Sequence, residues 1–143
     1  MAILLSLATG CTTLAPKPTP PVAADISTLL ASAEQAYRSQ DWTAAQGYYE
    51  QVVHQDISQT ESWFRLGNIY ARTGQLPQSA QAFQTVLAQD SEHTRAMHNL
   101  GIVQLRQAEL TFARLEAAVP VDDPLHQRSA SLRQAITDML EPE

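Results

Sequence analysis

The chain has 143 residues, 44% of them hydrophobic, and a formal net charge of −6 at pH 7 with no block of like charge. That length predicts one domain with a modest core, and the acidic balance gives no footing for nucleic-acid binding. A single cysteine excludes an internal disulfide, so stability must come from packing.

In chain order, residues 1–10 form a short, apolar, uncharged run ending Leu7-Ala8-Thr9-Gly10 immediately before Cys11. The run is too short to span a bilayer and has the form of a signal segment closed by small residues. Thr12 to Ala24 then holds four of the eight prolines (Pro16, Pro18, Pro20 and Pro21) with the lone Lys17. Such a stretch cannot be helical and reads as an extended tether reaching about 40 Å. Small residues directly before a cysteine resemble the lipobox of bacterial lipoproteins, in which the cysteine is acylated and becomes the new N-terminus. That resemblance implies lipidation at Cys11, a tether over 11–24 that holds the domain clear of the membrane, and, with Thr12 rather than Asp after the cysteine, the outer membrane. The residues by themselves also fit an apolar N-terminus with an incidental thiol.

The folded part is expected over 25–143. Asp25 is placed to cap a first helix from Ile26, Asp41 to cap a second, and Ser58 with Glu61 has the spacing of a capping box for a third. Trp63, Leu66, Gly67 and Tyr70 then fall at i, i+3, i+4 and i+7, one stripe of a helix, until Gly74 breaks the pattern. Ser79, Phe83, Val86 and Leu87, at i, i+4, i+7 and i+8, form the facing stripe of a fourth helix, so the two make a hairpin. Steps of 34 residues link Ala33 to Gly67, Ala45 to Ser79, Tyr49 to Phe83, Val52 to Val86 and Asp56 to Asp90. A further step puts Met97, Leu100 and Gly101 in the places of Trp63, Leu66 and Gly67, but Ala108 stands where the turn glycine was. No breaker follows before Pro120, which predicts one helix from about 94 to about 119. Asp122-Asp123-Pro124 is a stop and restart, and Leu125, Leu132, Ala135, Ile136, Met139 and Leu140 of the last helix, 123–140, are expected to cover the open end of the stack.

Trp, Leu-Gly, Tyr, turn Gly, small residue and aromatic at these offsets resemble the tetratricopeptide repeat (TPR), a 34-residue helical hairpin. The resemblance implies an all-α fold, a short solenoid with repeats at about 26–59, 60–93 and 94–120 and a C-terminal capping helix. It also implies a binding groove lined by set places of each first helix. Here those places hold Tyr37 and Arg38 beside Glu34, then Phe64, Arg65, Asn68 and Arg72, then Arg95, His98 and Asn99, with Arg106 beyond. Arg65, Asn68, Arg95 and Asn99 resemble in part the carboxylate clamp with which some such repeats hold a partner's C-terminus, which points to an acidic or C-terminal segment as ligand. Arg38, Arg72 and Arg106 recur at 34-residue steps, but a cation near a helix C-terminus is also favoured by the helix dipole. A plain solvated face is the alternative.

For chemistry the sequence offers no handle. His54, His93, His98 and His126 form no metal-binding pair, there is no phosphate loop, and no nucleophile sits in an activating motif, so neither a metal, a cofactor nor catalysis is expected. The expectation is a non-catalytic adaptor or assembly factor, lipid-anchored in a bacterial envelope and serving a pilus, secretion or outer-membrane machine. A soluble co-chaperone without an anchor, or a regulatory subunit of a peptidoglycan enzyme, is the alternative.

Overall fold

The structure, a computed structural model, describes residues 25–141. The expected signal segment 1–10, Cys11 and the tether to residue 24 lie outside the described residues. Among the described residues every regular element is a helix: α1 (Ile26–Arg38), α2 (Trp42–Gln55), α3 (Thr60–Arg72), α4 (Leu76–Gln89), α5 (Thr94–Ala118) and α6 (Pro124–Leu140). Successive helices pair as antiparallel hairpins, α1 with α2, α3 with α4 and α5 with α6, and the hairpins stack through α2 on α3 and α4 on α5. This is a short all-α solenoid of the TPR type.

Local signals account for most of the boundaries. Asp25 Oδ1 accepts the Ser27 N–H at 2.8 Å, Asp41 Oδ1 the Ala44 N–H at 3.0 Å, and Asp123 Oδ1 the Leu125 N–H at 2.8 Å, so three helices begin on an aspartate that satisfies an otherwise orphaned donor. The expected capping box at Ser58 and Glu61 does not form. Ser58 instead donates both its N–H, at 2.9 Å, and its hydroxyl, at 2.7 Å, to Asp56 Oδ1, and α3 starts at Gln59 without a side-chain cap. Asp56 ends α2 in extended geometry, and its carboxylate turns the chain by bonding the N–H two residues on, which removes Ser58 from capping. Asp90 repeats the device 34 residues later, its Oδ1 accepting the Glu92 N–H at 3.1 Å.

Two linked clusters make the core. The first joins α1, α2 and α3 through Ala33, Ala45, Tyr49, Leu66 and Ile69; the second joins α3, α4 and α5 through Phe64, Phe83, Val86, Ala96 and Val103, with Trp63 half-buried against both. The closest approach is at Gly67. A Cβ there would lie 2.5 Å from Phe83 Cε1, and the Ser79 hydroxyl donates to the Gly67 carbonyl at 2.7 Å, so only glycine lets α4 seat this deeply.

The last hairpin departs from the other two. α5 has 25 residues against 13 in α1 and in α3, so the chain reverses about 18 Å further out at 1.5 Å per residue. Helix α6 therefore returns along the extension of α5, fixed by a paired contact of Arg133 with Glu116 at 2.8 and 3.1 Å and by Thr137 with Glu109. The expectation that its apolar residues cover the end of the stack is corrected accordingly. Ile136 is buried, but Leu125, Leu132, Ala135 and Met139 are exposed, because α6 meets α5 and among the described residues no second layer lies beyond it.

Candidate partner-binding groove

The first helices of the three hairpins, α1, α3 and the N-terminal half of α5, lie side by side and leave a groove between them and the start of α2. Tyr37, Gln40, Trp42, Asn68, Ala71, Arg72, His98, Asn99, Ile102 and Arg106 are on its walls, and its volume is about 740 Å³. That is within the size range of pockets that hold a ligand or a few side chains of a peptide. The helical places expected from the repeat put Tyr37, Asn68, Arg72, His98 and Asn99 here together.

The floor is preorganised. Tyr37 meets Trp42 edge-on with ring centroids 5.4 Å apart, and the Arg72 guanidinium stacks 5.2 Å above the centre of the Trp42 ring. A cation held over a ring face keeps those N–H donors that point away from the ring for a carboxylate. Across the groove Asn99 Nδ2 donates to Asn68 Oδ1 at 2.8 Å, which fixes both amides and leaves the Asn68 nitrogen and the Asn99 oxygen to address a bound backbone.

The other expected groove residues are diverted. Arg65 stacks 4.8 Å over the Tyr37 ring and its Nε lies 3.0 Å from Glu61, so its charge is already matched. Arg95 stacks 4.9 Å over Phe64, which is buried against Phe83 and His93. Arg38 is exposed in the last turn of α1, outside the groove walls, where the helix dipole accounts for it. The four-residue clamp of Arg65, Asn68, Arg95 and Asn99 is thus not assembled as a unit; its two asparagines are. The histidines divide as well. His93 caps α5 by accepting the Ala96 N–H on Nδ1 at 3.1 Å, His126 lies 3.1 Å from the Glu116 carbonyl, and His98 alone faces the groove.

Two wall residues carry information that single-helix reasoning lacks. Trp42 comes from the start of a second helix, a place outside the first-helix set, and its signal was an aromatic directly after the cap Asp41. Arg106 stands twelve residues short of the end of α5, so the helix dipole does not account for it as it does for Arg38 and Arg72. Among the described residues no aspartate or glutamate is on the groove walls, although acids outnumber Lys and Arg 15 to 9 in the chain, so the groove is a basic site on an acidic protein.

Comparison with known proteins agrees with this architecture. A family model described as the cilia and flagella-associated protein 70 middle TPR-like domain matches residues 29–139. The chain belongs to this TPR-like family. Tetratricopeptide repeat protein 8 of Caenorhabditis elegans is 33% identical over 52 residues, which is 36% of this chain and 10% of that protein, so the chain spans about a tenth of that relative's length. TPR-like domains are generally protein-interaction modules without catalysis.

Proposed function

We propose that this TPR-like domain binds an acidic peptide segment of a partner protein in the groove between α1, α3 and α5. The observation that carries the reading is the wall composition: Arg72, Arg106 and His98 with two oriented asparagine amides over an aromatic floor, and no acid among the described residues there. An extended peptide would lay its backbone on Asn68 and Asn99 and a carboxylate against Arg72 and Arg106. The test is a titration of a short Asp/Glu-rich peptide with a free C-terminus, followed by Trp42 fluorescence, against the same peptide amidated and against a Lys-rich one. Arg72→Ala or Arg106→Ala should weaken acidic-peptide binding by about 1.5–3 kcal/mol, the worth of a hydrogen bond to a charged group. Equal binding of the acidic and the Lys-rich peptide, or no effect of either substitution, refutes it.

The same proposal extends to the cell. We infer an adaptor or assembly factor for an envelope complex, held to a bacterial membrane by lipid at Cys11. What supports it is the sequence Leu7-Ala8-Thr9-Gly10-Cys11 followed by the proline-rich stretch. Labelled fatty acid should enter the wild-type chain and not Cys11→Ser, since acyl chains contribute about 0.8 kcal/mol per buried methylene and two or more anchor stably. Label in neither form would leave an unanchored co-chaperone as the better reading.

A further inference from the structure

Gly67 and Gly101 occupy the same place in repeats 34 residues apart, yet their surroundings are opposite. A Cβ on Gly67 would run into the Phe83 ring, whereas a Cβ on Gly101 would find nothing within 4 Å. The neighbours follow suit: Trp63 is half-buried, while Met97, its counterpart, is 43% exposed, and Gln104, the counterpart of half-buried Tyr70, is exposed. The cause is the length of α5. In the second repeat α4 covers the Gly67 face, but in the third the chain continues as helix and α6 packs further along. Leu105, Ala108 and Phe112 follow Gly101 at i+4, i+7 and i+11, so the bare face continues the side of α5 on which α6 lies. The shallow surface over Met97, Gly101, Gln104 and Leu105 is lined by α5 residues alone, so α5 has no partner there among the described residues.

We propose that this face, Met97, Gly101, Gln104 and Leu105, docks a helix of a partner protein that runs antiparallel to α5 and carries a small residue followed four places later by an aromatic. The second repeat supplies the pattern. Ser79 and Phe83 are four apart on α4, the serine hydroxyl bonding the Gly67 carbonyl and the ring filling the space where a side chain of residue 67 would be. Gly101 keeps the opening that such a pair fills, on a surface that runs on toward the α5–α6 interface through the partly buried Leu105, Ala108 and Phe112. The incoming helix completes the third hairpin. Its site touches the groove only at His98 and Ile102, so it does not depend on what the groove binds.

The probe is a synthetic peptide of residues 74–90, held helical by a lactam between positions 84 and 88, both of which face solvent in α4. It is titrated into the full chain by calorimetry and by amide chemical-shift mapping. The expected result is saturable binding with shifts centred on residues 97–105, at least tenfold weaker for Gly101→Leu, for Met97→Glu and for the peptide bearing Phe83→Ala. The two protein variants alter exposed positions, and unchanged circular dichroism confirms their fold. Absence of saturable binding, equal binding to Gly101→Leu and Met97→Glu, or shifts centred on α3 instead overturns the proposal. A dimer of the peptide-free chain that Met97→Glu dissolves also overturns it, by assigning the face to a second copy.

Discussion

Alanine at Gly67 and alanine at Gly101 should move stability in opposite directions, although both glycines lie inside helices at the same place of a repeat. Each substitution gains about 1 kcal/mol from the better helix propensity of alanine. At Gly101 nothing opposes that gain, because the new methyl meets no atom within 4 Å. At Gly67 the methyl would sit 2.5 Å from Phe83 Cε1 and 2.8 Å from Cδ1 and Cζ, and the ring is fully buried, so it has nowhere to swing. Overpacking of this kind costs about 1–3 kcal/mol, occasionally more, and contact with three atoms of an enclosed ring places it at the upper end. The net change at Gly67 is then a loss of about 1–2 kcal/mol, and the two variants differ by about 2–3 kcal/mol. For a domain of this size that is roughly 3–6 °C in Tm per kcal/mol, so Gly101→Ala should melt above wild type and Gly67→Ala below it by comparable amounts. Thermal melts followed at 222 nm and urea midpoints measure both. A Gly67→Ala variant as stable as Gly101→Ala would refute the close seating of α4 on α3, and a destabilised Gly101→Ala would mean that the α5 face is already covered.

Gln40 has φ of 60°, the one non-glycine residue in the left-handed region among the described residues, at the place where the next repeat has Gly74 with φ of 76°. That geometry costs a side-chain-bearing residue about 1–2 kcal/mol, and glycine returns part of the gain as unfolded-state entropy, so Gln40→Gly should stabilise by about 0.5–1 kcal/mol while Gln40→Ala should not. Equal urea midpoints for the two would show that the turn is not strained. Burial first, and then donation to Glu34 at 2.9 Å and to Glu50 at 2.8 Å, hold the hydroxyls of Tyr49 and Tyr70 protonated well above the ordinary phenol range. A raised folded value means that stability is fully present below about pH 10, where unfolded tyrosine titrates, and falls as pH rises beyond it. The Tyr49→Phe, Tyr70→Phe double variant should therefore lose less stability than wild type between pH 9 and pH 11 in urea titrations; identical losses would show that neither phenol is linked to folding.

The groove was legible where one helix suffices to predict it. Tyr37, Asn68, Arg72, His98 and Asn99 share it because the repeat fixes which side of each first helix faces inward, and that side follows from helical spacing alone. Arg65 and Arg95 depart from the expectation because an aromatic on a neighbouring turn or helix, Tyr37 for one and Phe64 for the other, offers the guanidinium a stacking surface. That competition depends on which rings the packed helices bring close, and helical spacing does not contain it. Trp42 was missed for the same reason in reverse: it reaches the groove from a second helix through its edge contact with Tyr37.

Positions 40, 74 and 108 show how one place in a repeat can decide the architecture of the end of a solenoid. At 74 glycine adopts positive φ without strain and the hairpin turns. At 40 glutamine does so at a cost, and the turn persists because the next residue, Asp41, caps the helix that follows and Trp42 packs back on Tyr37. At 108 neither device is present. Gln107-Ala108-Glu109-Leu110 are all strong helix formers with no cap among them, so propagation outcompetes reversal and α5 runs on to Ala118. The uncovered face at Gly101 is the direct consequence. A sequence that kept the small residue of its first helix while losing the turn retains a helix-sized opening without the helix that fills it in the repeat before. Combining Gln107→Asn, Ala108→Gly and Glu109→Asp, which supplies a turn glycine and a following cap, should restore the reversal. If that triple variant still shows an unbroken α5 by amide exchange and backbone shifts, packing of α6 on the extension, rather than the missing turn signal, holds the long helix together.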